Sequence, residues 1–138
     1  MPDAAADLTV LVVEDEAPNR ALARAVLSRA TDVRLRSVRL IEAVDLREAR
    51  TVLAAERVSI VLLDVRLPDG NGLDLARELR QQGEGRPHVL ILTASVLPTE
   101  REAAVRSGAD AFLAKPYRPA DLISAIVGLI GEPVGGEG

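Results

Sequence analysis

The chain predicts an α/β fold, a five-stranded parallel sheet with helices packed on both faces, and three stretches carry that prediction. Thr9–Val13, Ile60–Asp64 and His88–Thr93 are short aliphatic runs, each bounded by polar or turn-forming residues. Continuous Val, Leu and Ile over so few residues is the pattern of a strand buried on both faces, and such strands belong to parallel sheets covered by helices. Segments with apolar residues at helical spacing follow each of them, so strand and helix alternate five times with no repeat and no internal linker.

The elements can be justified in order. Thr9–Val13 runs into the acidic triplet Glu14-Asp15-Glu16, and Pro18 then falls in a first helical turn, where its missing N–H costs nothing. Leu22, Ala25 and Val26 continue that helix to about residue 30. From residue 31 to 38 the alternation of Val33, Leu35 and Val38 with Arg34 and Arg36 slips in phase near Ser37, which predicts a bulge or loop before a short strand over Arg39–Ala43. Leu46, Ala49, Val52 and Leu53 place an amphipathic helix over 46–56. The strand ending at Asp64 meets the turn-rich Leu67-Pro68-Asp69-Gly70-Asn71-Gly72, and a helix over 73–82 turns Leu75, Ala76 and Leu79 inward. His88–Thr93 ends on a hydroxyl, Pro98 opens a helix to about residue 107, and Gly108 caps it. Ala111–Ala114 is a short strand ending at Lys115-Pro116, and Pro119 starts a final helix through Leu122, Ile126 and Ile130. Residues 1–7 are expected to be a flexible start, and the Gly-rich, acidic stretch 131–138 a disordered tail.

Composition bounds the function. The 138 residues suit one domain, and a net charge of −4 argues against a nucleic-acid surface, which is built from clustered positive charge. The absence of cysteine excludes thiolate metal sites and Cys nucleophiles and fits a reducing compartment. No secretion signal or membrane-length apolar run is present, so a cytoplasmic location without membrane contact is expected. Of the 17 basic residues only Lys115 is a lysine. In so Arg-rich a chain, one retained Lys suggests a task for a compact ammonium on a flexible stem. His88, the one histidine, falls at a strand start on the opposite edge and reads as a surface residue.

In an open parallel sheet ligands bind beyond the carboxyl ends of the strands. Here those ends deliver Glu14-Asp15, Asp64, Thr93 and Lys115. Carboxylates about 4 Å apart repel by roughly 1 kcal/mol per pair in water and about 4 kcal/mol at an effective dielectric near 20, so the cluster calls for a cation. Oxygen donors without His or Cys suit Mg²⁺, or Mn²⁺ as its substitute. A divalent ion opposite a hydroxyl and an ammonium describes a phosphoryl site, with Asp64 as the nucleophile or acceptor.

Along residues 8–130 the chain resembles the receiver domain of two-component response regulators, in its single-domain, chemotaxis-regulator-like form. The matching residues are Glu14-Asp15, Asp64 within Leu-Leu-Asp-Val-Arg-Leu-Pro-Asp-Gly-Asn-Gly, Thr93-Ala94, Gly108-Ala109-Asp110-Ala111-Phe112-Leu113 and Lys115-Pro116. The resemblance implies a flavodoxin-like, doubly wound sheet of strand order 2-1-3-4-5 and phosphorylation of Asp64 by a phosphohistidine on a sensor histidine kinase or histidine phosphotransfer protein. It implies Mg²⁺ held by Asp15, Asp64 and the backbone carbonyl of Arg66, with Glu14 acting through water. Thr93 would hydrogen-bond the phosphoryl group, Lys115 would pair with it, and Phe112 would be the switch aromatic. The Lys115–Pro116 bond is expected to be cis. The output face would be the fourth helix, fifth strand and last helix, residues 98–130, binding a downstream protein target; a phosphorylation-linked dimer is a further state to test.

Three departures stand out: Glu14 where Asp is commoner, no glycine between residues 31 and 37, and Arg66 and Ser95 at positions that could tune hydrolysis of the acyl phosphate. A stand-alone switch, a phosphorelay intermediate or phosphate sink, and a piece of a longer regulator share this chemistry. None is an enzyme beyond its own phosphorylation and dephosphorylation. The enzyme alternative, an aspartyl-phosphate hydrolase of the haloacid dehalogenase type, wants a second Asp two positions after the nucleophile, where this chain has Arg66.

Overall fold

The computed structural model describes residues 8–94 and 97–131. Its elements are β1 (Thr9–Val13), α1 (Ala17–Ser28), α2 (Val33–Arg36), β2 (Arg39–Ala43), α3 (Leu46–Ala55), β3 (Ile60–Asp64), β4 (Arg66–Leu67), β5 (Gly70–Asn71), α4 (Gly72–Arg80), β6 (His88–Thr93), α5 (Pro98–Arg106), β7 (Ala111–Ala114) and α6 (Pro119–Ile130). β2, β1, β3, β6 and β7 lie side by side in that order, all parallel. Counted as first to fifth strand of the sheet, the order is 2-1-3-4-5. The flexible start expected at 1–7, the tail expected beyond Gly131, and Ser95 lie outside the described residues.

Because side chains alternate across a strand, each central strand feeds two cores. Leu11, Val13, Val61, Leu63, Val89 and Ile91 pack on one face with Leu46 of α3 and Leu75 and Leu79 of α4. Val10, Val12, Ile60, Leu62, Leu90 and Leu92 pack on the other with Val26 and Leu27 of α1 and Leu122 and Ile126 of α6. The middle positions of these strands are therefore apolar on both faces, and polar residues are left to their ends. No helix among the described residues is long and apolar enough to cross a membrane.

Two local features differ from the sequence reading. The segment expected as a bulge or loop contains the helical turn α2, because the Asp32 carboxylate accepts the Arg34 backbone N–H at 2.9 Å and caps it while Leu35 is fully buried. The apolar periodicity there reported one buried position, not a strand face. The turn after Asp64 is itself ordered as a two-residue-strand hairpin, with Arg66 paired to Asn71 and Leu67 to Gly70.

Register brings the strand ends level. Val13 stands opposite both Ala43 and Leu63, Asp64 opposite Leu92, and Thr93 opposite Ala114, so the residues leaving β1, β3, β6 and β7 emerge along one edge.

Candidate functional site

That edge forms a cleft of about 620 Å³ lined by Glu14, Asp15, Asp64, Arg66, Thr93 and Lys115. One carboxylate oxygen from each of Glu14, Asp15 and Asp64 lies within 4.8 Å of the others. Opposite ligands of an octahedral Mg²⁺ stand about 4 Å apart, so the spacing of this all-oxygen set is close to that of a divalent-ion site. Donor chemistry and spacing therefore fit the ion the acidic cluster called for.

The three carboxylates sit in different surroundings. Asp15 is exposed, Asp64 half-buried, and Glu14 only 4% exposed. The Glu14 carboxylate accepts the Lys115 ammonium on Oε1 at 2.6 Å and the Glu16 backbone N–H on Oε2 at 3.1 Å. Burial pushes the Glu14 carboxyl up, but these donors outweigh it and hold the group below its ordinary range. Asp64 goes the other way: burial raises it, and the adjacent Glu14 charge adds to burial against the pull of Lys115. The ammonium, 3.4 Å from Asp64 Oδ2, loses stability by burial and regains more from its two carboxylates, so it is held more firmly protonated than an ordinary Lys.

Backbone contacts fix the two sides of the cleft. The Arg20 guanidinium donates to the Glu14 carbonyl at 2.9 Å and pairs with Glu42 of β2 at 3.2 Å, which ties the end of β1 to its neighbours. Gly72 approaches β3 so closely that a Cβ there would fall 2.1 Å from the Asp64 carbonyl oxygen, a place no other residue can occupy. The Lys115 N–H donates to the Thr93 carbonyl at 2.8 Å, and the Lys115–Pro116 bond is cis.

Each predicted site residue can be located. Glu14, Asp15, Asp64, Thr93 and Lys115 line one cleft, with Thr93 only 6% exposed. Phe112 is half-buried beside the core under α5, and the Arg101 guanidinium lies 5.0 Å from its ring centroid. The Arg66 side chain is 81% exposed and faces Glu100 of α5 at 3.7 Å across the mouth.

Asp69 was read only as a turn residue, and its anchoring role escaped the sequence reading. Its carboxylate accepts the N–H groups of Leu46 and Arg47 at 2.9 and 3.0 Å, staking the loop after Asp64 to the start of α3. Partners 22 and 23 positions earlier leave no local signal. Asn71, by contrast, caps α4 through Leu73 at 2.8 Å, and an Asn before a helical run is readable.

A family model, the response regulator receiver domain, matches residues 10–127. Response regulator MprA of Mycolicibacterium vanbaalenii is 37% identical over 121 residues, covering 88% of this chain and 49% of that protein. Transcriptional regulatory protein GltR of Pseudomonas aeruginosa is 36% identical over 123 residues, covering 88% of this chain and 48% of that one. The chain thus spans about half the length of the curated relatives it matches. Among solved structures, the receiver domain of sensor histidine kinase PA1611 from Pseudomonas aeruginosa PAO1 superposes with a TM-score of 0.76 at 31% identity, over 91% of this chain and 99% of that one. That structure has a magnesium ion coordinated in its active site cleft.

Proposed function

The chain belongs to the response regulator receiver domain family, and from that premise we propose that residues 8–130 act as a phosphorylation-dependent switch with Asp64 as phosphoacceptor. The observation that carries the proposal is the convergence in one cleft of three carboxylates, a buried hydroxyl and the chain's sole ammonium, with Lys115 3.4 Å from Asp64.

The donor is a phosphohistidine on a sensor histidine kinase or histidine phosphotransfer protein. An Asp64 oxygen bonds to phosphorus as the donor's N–P bond breaks, and the imidazole leaves, taking up a proton. Asp15 and Asp64, with the Arg66 carbonyl, are the groups that would hold Mg²⁺. When bound, that ion would supply positive charge beside the phosphoryl oxygens. Thr93 binds the transferred group through its hydroxyl and Lys115 pairs with it. The new group carries nearly two negative charges beside Asp15, and only differential binding by these donors favours the active arrangement.

The output face is α5, β7 and α6, because Thr93 and Phe112 adjoin it, and its ligand is a downstream protein. The acidic balance of this span argues that DNA contact in any longer regulator would be made elsewhere. A relay or phosphate-sink role uses the same chemistry and differs only in the partner that removes the phosphoryl group.

Incubation with a small phosphodonor and Mg²⁺, followed by intact-mass measurement, tests the proposal. One phosphoryl adduct, absent in Asp64→Asn, is expected. Steady turnover of a phosphate ester with no adduct would overturn it in favour of a hydrolase. Lys115→Arg is expected to lose signalling, since a planar guanidinium cannot take the place of the ammonium.

A further inference from the structure

We propose that Glu14 is a positioning residue for Lys115: its longer carboxylate holds the ammonium nearer to itself than to Asp64, and the pairing withholds the Glu14 carboxylate from an incoming Mg²⁺. The inference rests on the reading of the cleft as a divalent-ion site and assigns Glu14 a role other than the water-mediated ion contact expected from the sequence.

Both oxygens of the Glu14 carboxylate are committed to protein donors, Oε1 to Lys115 at 2.6 Å and Oε2 to the Glu16 N–H at 3.1 Å. The side chain is 5% exposed, so it has little room to turn outward. Its backbone is gripped by Arg20 and that of Lys115 by the Thr93 carbonyl, so the two ends of the pair are fixed independently. The ammonium lies nearer Glu14 at 2.6 Å than Asp64 at 3.4 Å. The balance between the two carboxylates is therefore set by side-chain length. An Asp at position 14 is one C–C bond shorter, about 1.5 Å, and cannot keep both contacts from the same backbone. Its carboxylate would be released toward the ion, and Lys115 would keep only the longer contact with Asp64.

Two consequences follow for Mg²⁺. Its binding meets a positive charge already seated in the cluster, and one of the three carboxylates is withheld from it. Both weaken binding through the Glu14–Lys115 pair, so breaking that pair from either side frees the Glu14 position and loosens the seated charge.

The test is an NMR titration with Mg²⁺ alone, following backbone amides around Asp15 and Asp64 in uniformly ¹⁵N-labelled protein. Glu14→Asp is expected to bind Mg²⁺ about three- to tenfold more tightly than the unaltered chain. In a Lys115→Met background the same change is expected to alter affinity by less than about twofold, because there is no pair left to break. Since Lys115 is the only lysine, ¹⁵N-lysine labelling yields a single ammonium signal. It should be protected in the unaltered chain and lost to solvent exchange in Glu14→Asp, with no ion or phosphodonor present. Equal Mg²⁺ affinity in the unaltered chain and Glu14→Asp, an equal gain with and without Lys115, or an unchanged ammonium signal each overturns the role given to Glu14. Asp15→Asn separates the two layers. Loss of Mg²⁺ binding by more than about tenfold is expected there, and binding like the unaltered chain would overturn the ion site itself.

Discussion

The β1–β3 pair and the α5–β7 pair border the same cleft, yet they are built very differently. In β1 and β3 the residues from Val10 to Val13 and from Ile60 to Leu63 are at most 2% exposed, and their ends are held by the Arg20, Asp69 and Gly72 contacts. In β7 all four residues are only partly buried, α5 buries Ala104 alone, and Val105 on α5 and Leu97 at its start are 70% and 57% exposed. Regions with few buried contacts open at low free-energy cost, whereas core strands open only with the whole fold. One side of the cleft is a frame that keeps the carboxylates in place. The other is packed more loosely, as the switch proposed above would need.

Substitutions can break or sharpen that contrast. Leu62→Ala removes a fully buried side chain from the frame and is expected to cost about 2–5 kcal/mol by urea denaturation. Leu113→Ala, on the partly buried β7, should cost less than half of that, and equal losses would end the distinction. Gly72→Ala sets a methyl group against the Asp64 backbone, which cannot yield without moving the site. A loss of about 1–3 kcal/mol is expected, together with loss of the phosphoryl adduct on the intact mass.

Asp64→Asn should raise stability at neutral pH. The native carboxyl is held above its ordinary value, chiefly by burial, so the ionised group is less stable in the fold than in the unfolded chain. Its contribution is greatest below the unfolded value and is lost as pH rises through the folded one. The advantage of Asn over Asp should therefore shrink as acid protonates Asp64 and vanish below the ordinary carboxyl range. Urea midpoints across that range check the sign, and a gap independent of pH would show that the carboxylate is not strained by its surroundings. The smallest effect is expected at the loose side, where Val105→Ser on the exposed face of α5 should change stability by less than about 0.5 kcal/mol.

The frame was far easier to read than its fine structure. Aliphatic runs such as Val61-Leu62-Leu63 announce a doubly covered strand by local pattern, and each ends at the residue that enters the cleft. α2 was missed because four residues hold too little periodicity to separate a helical turn from a bulge or loop, and the deciding interaction was the Asp32 cap. The contact of Arg66 with Glu100 was not legible either, because its partner lies on an element 34 positions along the chain.

What the sequence by itself determined was which groups could meet: alternating β and α signals force a parallel sheet, and such a sheet sends every strand's carboxyl end to one edge. That brought Glu14, Asp15, Asp64, Thr93 and Lys115 to the same place from residues over a hundred positions apart. Only the tertiary structure decided which of them are partners. Sequence order ranks Glu14 and Asp15 as equivalent neighbours, but the strand's alternation buries the first against Lys115 and leaves the second exposed. A difference of a fraction of an ångström in reach then sets which carboxylate the single ammonium prefers, and such distances exist only once the chain is packed.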